Sequence, residues 1–497
     1  MKKSVILENI IISAIFLLSI FFLIFRYTNN TFPGDLGDTI FSLFILESFF
    51  NSLINNNSFV DLNYQFPLKN NIFFSETMWG SAWIYSIYRF VGFETLDSFK
   101  FYFITCHLLN FLICLVVLRK FKLSLQASIV ASFFFSFSLP ILAHDMRPQL
   151  LLRFYTPLSI YFYYKYSNNQ KLKFFTLSIF FLFMQTISSM YLGIFLLIFL
   201  FSYHIIKYSE SEVFENYNFK NLFMFKKLNF LTFLILSLLI GLFLYYFFIY
   251  YSVKSTYDFK RGYPQSGLIN FFSFFSTERS IFFDSFRILP LHYSLGEQQL
   301  YPGLSFFIFL FFLYKKKIFN ETNKIYNLIK KITFINILIY FSIFGISFFL
   351  FLYYLPGFSG IRAPSRSILI LIFLISLLIG FYIDKFNNYK SRNFYIIKYF
   401  LIFLLIFEIC SANVNKIPIN IIEKKILDIT KKLENTSKDD ILIFKQSDNY
   451  VENYHNDTFI SLVSVINNRK TFNGLTSFVP KFNRPLTNCN EIKNYIL

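Results

Sequence analysis

The chain has 497 residues, 55% of them hydrophobic and only 15% charged, with a mean hydropathy of +0.50 and a formal net charge of +19. A soluble chain carries roughly 25% charged residues, so an aqueous surface cannot absorb this much apolar side chain. Disorder, collagen and a disulfide scaffold are excluded by 76 Phe, 15 Gly and 4 Cys. What remains is an all-α polytopic membrane protein.

A helix that crosses a bilayer needs about 20 apolar residues. Such stretches occur at 5–26, 99–118, 124–143, 150–166, 174–188, 190–206, 230–251, 299–314, 332–353, 367–383 and 399–412, which makes eleven expected transmembrane helices. The stretch 174–206 is divided at Gln185-Thr186-Ile187-Ser188-Ser189, because its length fits two spans. The first stretch follows Met1-Lys2-Lys3 and lacks a small-residue cleavage pattern, so it reads as a span and not as a signal peptide.

Short loops rich in Lys and Arg face the cytoplasm. With the N-terminus inside, that side collects Lys2 and Lys3, Arg119 to Lys122, Lys165 to Lys173, Lys207 to Lys227, Lys315 to Lys331 and Lys385 to Lys398. Eleven spans then place the C-terminus outside a cytoplasmic (inner) membrane. The positive charge is spread over separate loops, which argues against a nucleic-acid partner. The transmembrane domain is expected over 1–412. Its long extracytoplasmic loops are 27–98 and 252–298, and an extracytoplasmic tail, 413–497, is expected to form a small α/β unit from a helix near 422–433 and a strand near 441–444.

No nucleotide-binding, hydrolase or zinc motif is present, and the cysteines at 106, 114, 410 and 489 show no ligand spacing. Polar material gathers in the outer segments, so any chemistry belongs at that face, where a group donor must arrive on a lipid. The first outer loop opens Phe32-Pro33-Gly34-Asp35-Leu36-Gly37-Asp38 and continues into a helical run, 39–50, expected to lie at the interface as a juxtamembrane helix, with Glu47 on it. Asp38 can be an N-cap and Asp35 a turn residue, or either can be a general base. Further candidates lie in His144-Asp145-Met146-Arg147-Pro148-Gln149, in Glu297 before Leu300-Tyr301-Pro302-Gly303, and in Gly360-Ile361-Arg362-Ala363-Pro364-Ser365-Arg366. Arg147 has Asp145 as a neighbouring ion-pair partner, and Arg153 is expected to snorkel toward the headgroups. Arg362 and Arg366, four apart around Pro364, are expected to straddle a helix start and share one face.

This arrangement resembles the GT-C superfamily of membrane glycosyltransferases. It rests on the strings above in their order, together with Gln185 to Gly193, Asn473-Gly474 and Phe478-Val479-Pro480. The sequence has Asp-Leu-Gly-Asp where better-known members carry an adjacent acidic pair. The resemblance implies transfer of a sugar from a polyprenyl-phosphate donor to a glycan, lipid or protein acceptor of the cell envelope. It implies Asp35 or Asp38 as the base. Arginine suits the leaving phosphate because its planar fork binds oxygens in pairs, which points to Arg147, Arg362 and Arg366. Glu47, His144, Gln149 and Glu297 are candidates for substrate contact. No motif calls for a cofactor; outer-face acids leave a divalent cation open, without a diagnostic spacing. The competing readings are a flippase for lipid-linked saccharides, which should carry intramembrane charges, and a noncatalytic assembly subunit.

Overall fold

A computed structural model describes residues 2–209, 230–259, 267–282, 297–316, 324–343, 346–354, 358–388, 392–434 and 450–474, with short pieces at 436–437 and 440–442. The elements are α1 (Lys2–Thr28), β1 (Thr31–Pro33), α2 (Asp38–Asn55), α3 (Trp79–Val91), α4 (Thr95–Lys120), α5 (Leu125–Phe137), α6 (Leu139–Leu142), α7 (Tyr155–Asn169), α8 (Leu172–Ser188) and α9 (Met190–Ser209). They continue with α10 (Phe230–Thr256), α11 (Leu304–Lys316), α12 (Lys324–Tyr340), β2 (Ser342–Ile343), β3 (Ile346–Ser347), α13 (Phe349–Tyr353), α14 (Ile368–Asn388), α15 (Arg392–Ser411), β4 (Lys416–Pro418), α16 (Ile419–Leu433) and α17 (Tyr450–Ile466).

The protein is a helical membrane protein. Six segments are long and apolar enough to cross a bilayer: Glu8–Thr28, Thr95–Lys120, Leu125–Leu142, Met190–Lys207, Phe230–Thr256 and Pro364–Phe386. The other expected spans fall on α7, α8, α11 and α12, of 13 to 17 residues, and on α15. The stretch expected at 332–353 is not one helix. It breaks after Tyr340 into the antiparallel pair β2–β3 and α13, where Ser342 and Ser347 interrupt the apolar run.

The two ends of the bundle differ. At one end, β1 pairs antiparallel with β4, Phe32 opposite Ile417, and so ties the exit of α1 to the exit of α15. At the other end Lys398 meets Glu8 at 3.1 Å and Gln126 at 3.2 Å, and the Asp384 carboxylate accepts from the Ser124 amide. Lys398 is fully buried; it is part of this network and not a loop cation. We call the first end the site end.

Between α5 and α7 the chain does not simply turn. Residues 138–145 and 150–156 are buried among helices, and irregular backbone in such surroundings must find partners for its polar groups. Asn110, in the middle of α4, donates to the Leu151 carbonyl at 2.8 Å and accepts from the Arg153 amide at 2.9 Å. Gln185 donates to the Leu152 carbonyl at 2.9 Å and accepts from the Thr156 hydroxyl. The polar interruption in the stretch 174–206 therefore has a use beyond dividing two helices. Arg153 does not snorkel: it is 1% exposed, its guanidinium lies over Phe135, and one nitrogen donates to the Phe135 carbonyl at 3.4 Å. The α8–α9 break is real, and Glu76 accepts from the Met190 amide at 2.6 Å at the start of α9.

α2 is a helix as expected, but it does not lie on a surface. Residues 39 to 48 are all buried, because its sequence has no polar stripe to give to water. One side of the covering layer is the tail. Thr458 on α17 donates to the Leu36 carbonyl, Asn51 on α2 donates to the Val465 carbonyl, and the Gln65 amide donates to the Asn473 carbonyl. α16 begins slightly before the expected 422; of the expected strand at 441–444 the structure describes residues 441 and 442, and Leu442 forms an isolated bridge with Thr471. Residues 443–444, 478–480 and Cys489 lie outside the described residues, as do Lys260, Arg261, Asp284, Arg287 and His292 of the second long loop.

Candidate functional site

The Gly34–Asp38 turn is shaped by its own side chains. Gly34 sits at φ +97°, and a Cβ there would lie 2.0 Å from the Thr39 hydroxyl, so only glycine fits. Asp35 Oδ1 accepts from the Gly37 amide at 3.2 Å and the Thr39 amide at 2.9 Å, while the Asp35 amide donates to Thr39 Oγ1 at 2.9 Å. This reciprocal arrangement caps α2, so the capping role expected of Asp38 belongs to Asp35. Asp38 is the first residue of the helix. Its Oδ1 accepts from the Tyr454 hydroxyl at 2.6 Å, and its Oδ2 lies 3.7 Å from Arg147 Nε.

Arg147 links Asp38 to the rest of the site. It sits on the buried connection after α6, fixed to α2 by the Thr39 hydroxyl on the Met146 carbonyl and the Ser42 hydroxyl on Gln149 Oε1. One guanidinium nitrogen meets Glu297 Oε1 at 2.9 Å, and another donates to His144 Nδ1 at 2.9 Å. Glu297 in turn accepts twice from Arg366, at 3.0 and 2.7 Å, in the paired geometry a guanidinium fork favours. Arg366 also stacks on the Tyr191 ring at 4.7 Å. Asp38, Arg147, Glu297 and Arg366 thus form one chain of alternating charge, drawn from four separate segments.

The electrostatics separate these groups. Burial raises the Glu297 carboxyl, but the Arg366 charge with its hydrogen bonds, and Arg147 behind it, hold it well below the usual carboxylate range. Burial, then the charge of Arg147, push the His144 imidazole down to about 3. His144 is therefore neutral, and since Arg147 only donates, its Nδ1 is the acceptor and Nε2 carries the proton. Nε2 is buried with no hydrogen-bond partner among the described residues. Burial, then the neighbouring Asp38 charge, push Asp35 up to about 6, against the bonds from Thr39 and Gly37.

The Asp35 value carries a pH prediction. A carboxyl whose pKa is raised on folding contributes stability below its unfolded value and loses it as pH rises through the folded one. The window is therefore about pH 4 to 6. Asp35→Asn keeps the cap, since Asn caps as well as Asp, and cannot ionise. Thermal unfolding of the purified variant should show less loss of stability between those pH values than the unaltered protein, and no lower midpoint at pH 7.5. A variant destabilised at every pH would mean that the charge, and not the cap geometry, is what the turn needs.

Other expectations are relocated. Arg362 and Arg366 do not share a helix face. Pro364 opens a short 3-10 turn, Pro364–Ser367, and α14 starts only at Ile368. Arg366 is buried while Arg362 is exposed, its amide donating to the Tyr191 hydroxyl at 3.3 Å. Asp145 does not pair with Arg147. It is buried, accepts from Tyr27 and Asn415, and lies 3.6 Å from Arg279, so it braces the β1–β4 junction. Glu47 is nine residues beyond Asp38, about 13 Å along the helix, and is not brought to the cluster. It pairs with both Arg89 Nε and Nη2 at 3.0 Å and accepts from the Tyr85 hydroxyl, joining α2 to α3. Among the described residues, no three His, Cys, Asp or Glu side chains converge as a metal site.

Beside the cluster lies an apolar groove of about 830 Å³ between α11, α12 and α14. Leu300, Pro302, Phe306, Ile337 and Ile368 line it, and Lys330 and Lys331 contribute to its wall. Ile368 is two residues from Arg366, and Leu300 three from Glu297. No protein-family model and no curated protein sequence matches the chain.

Proposed function

We propose that the protein is a membrane glycosyltransferase of the GT-C kind. It moves a sugar from a polyprenyl-phosphate donor to a cell-envelope acceptor at the outer face of the membrane. The observation that carries this reading is the Asp38–Arg147–Glu297–Arg366 chain, a carboxylate beside arginines at one end of an apolar helix bundle, next to an apolar groove. Asp38 is the base, because it stands in the charge chain beside Arg147 while Asp35 holds the Gly37 and Thr39 amides at the start of α2. Asp38 takes the acceptor hydroxyl proton as the new C–O bond forms at the anomeric carbon, and the donor phosphate leaves with the electron pair of the broken bond. Arg362, exposed beside the cluster, receives that phosphate first. Arg147 and Arg366, already paired with Glu297, supply positive charge behind it.

The topology in this reading is eleven spans with the N-terminus cytoplasmic and the site end outside. The Lys and Arg distribution over the short loops supports it, and Lys398 lies at the end opposite the site. Reporter fusions after Lys173 and Lys398 should score cytoplasmic, and one after Lys445 external. A cytoplasmic tail would remove the site from the face where lipid-linked donors wait.

Mass spectrometry of lipid-linked saccharides with and without the gene tests the function. Accumulation of a polyprenyl-phosphate sugar on deletion, together with transfer by the purified protein from a synthetic donor of that sugar, supports the enzyme. The flippase reading gains from the buried charges Arg153 and Lys398. Donor translocation across liposomes without any transfer would establish it in place of the enzyme.

A further inference from the structure

We propose that Tyr454, on the tail helix α17, is a positioning residue for Asp38: its hydroxyl holds Oδ1, so that Oδ2 is the oxygen presented to the acceptor. The inference rests on the reading of Asp38 as the base. It gives the tail a role in catalysis that no motif in the chain announces.

Several contacts show that the placement is built. Tyr454 donates to Asp38 Oδ1 at 2.6 Å across 416 positions of sequence. Its ring packs against Gly37, where a Cβ would lie 2.1 Å from the ring carbon Cε1. Any side chain at 37 would meet the ring, so the close approach of the phenol to this turn needs glycine there. One turn further along α17, Thr458 fastens the helix to the Leu36 carbonyl at 3.0 Å.

The two oxygens of Asp38 are left in different states. Oδ1 is taken by the phenol. Oδ2 has Arg147 Nε at 3.7 Å, beyond hydrogen-bond reach, and the side chain is 30% exposed. Among the described residues, the charged groups around the Asp38–Tyr454 pair are Asp35 from the same turn, Arg147 from the segment after α6, and Arg362 and Arg366 from before α14. Burial, then the Asp38 charge, hold the Tyr454 ionisation well above its usual range. The phenol is therefore a donor at every working pH and cannot compete for the proton that Oδ2 must accept.

The test uses the full-length protein in detergent or liposomes, with the donor identified by the lipid analysis. Tyr454→Phe keeps the ring on Gly37 and removes only the hydroxyl. A hydrogen bond to an ionised carboxylate favours that form. Without it, the acid limb of the kcat/KM profile should move to higher pH by about one unit, and kcat should fall about 10-fold with KM for the donor unchanged. Asn51→Ala removes the contact that α17 makes with α2 at the Val465 carbonyl, about three turns from Tyr454, and serves as the control for a general loosening of the tail. It should leave the limb in place. An unmoved limb in Tyr454→Phe, or an equal effect from Asn51→Ala, overturns the positioning role while the enzyme reading stands. If the unaltered protein transfers no sugar, the enzyme reading falls first and the role falls with it. A double-mutant cycle of Tyr454→Phe and Asp38→Ala on thermal midpoints then still reports whether the pair forms.

Discussion

Asp38→Asn is expected to leave the fold intact and to cut sugar transfer by about 10²–10⁴-fold, the usual cost of removing a positioned base. The amide is the same size, keeps an oxygen for the Tyr454 hydroxyl and remains at the first helical position. What it loses is the ability to take a proton. Asp35→Asn should cost less than about 10-fold, because the Asp35 oxygen that contacts Gly37 and Thr39 is an acceptor in either residue. Donor binding and membrane insertion should be unchanged in both. Parallel transfer assays decide the assignment: equal loss in the two variants would mean that the pair acts as a unit, and loss in Asp35→Asn alone would move the base to the other carboxylate.

The difference between those two aspartates could not be read from sequence, although their presence could. Asp-Leu-Gly-Asp before an apolar run marks a helix start, and a helix starts there. Which carboxylate caps depends on the backbone at Gly34 and Gly37, and the second of these is shaped by a ring from α17. Tyr454 had no signal, since nothing in a local pattern reports a partner 416 residues away. The apolar helices were legible for the opposite reason: about 20 apolar residues in a row leave few alternatives. The arginines were half legible. Their chemistry marked Arg147 and Arg366, and Glu297 was singled out as a carboxylate near a helix start, but the bonds among them arise from packing. Arg153 was expected to snorkel and is buried instead, and the string that singled out Glu47 gave no sign of its partner Arg89. A pattern shows where a side chain begins along a helix, but burial against Asn110 and Phe135, or pairing with Arg89, depends on the neighbouring helices.

Glu297→Gln should be the most destabilising single change at the site. Glu297 and Arg366 expose 15% and 4% of their side chains, and Arg147 exposes 11%. Two guanidiniums close to one carboxylate are tolerable only while that carboxylate is charged. Neutralising it leaves both arginines buried and repelling each other, and removing one partner from a buried ion pair costs about 3–5 kcal/mol. The amide can still accept one bond, but its NH₂ must face a guanidinium. The thermal midpoint of the purified variant in detergent should fall sharply, and adding Arg366→Gln should recover part of the loss, because the second unpaired charge is then gone. Acid should mimic the substitution. A carboxyl held below its ordinary value of 4.5 in the folded protein supplies stability above that pH and loses it as pH falls toward the folded value, so the unaltered protein should weaken below about pH 4.5 while Glu297→Gln has less left to lose there. An unchanged midpoint in Glu297→Gln would show that solvent screens the two arginines, and the cluster would then no longer count as a desolvated charge chain.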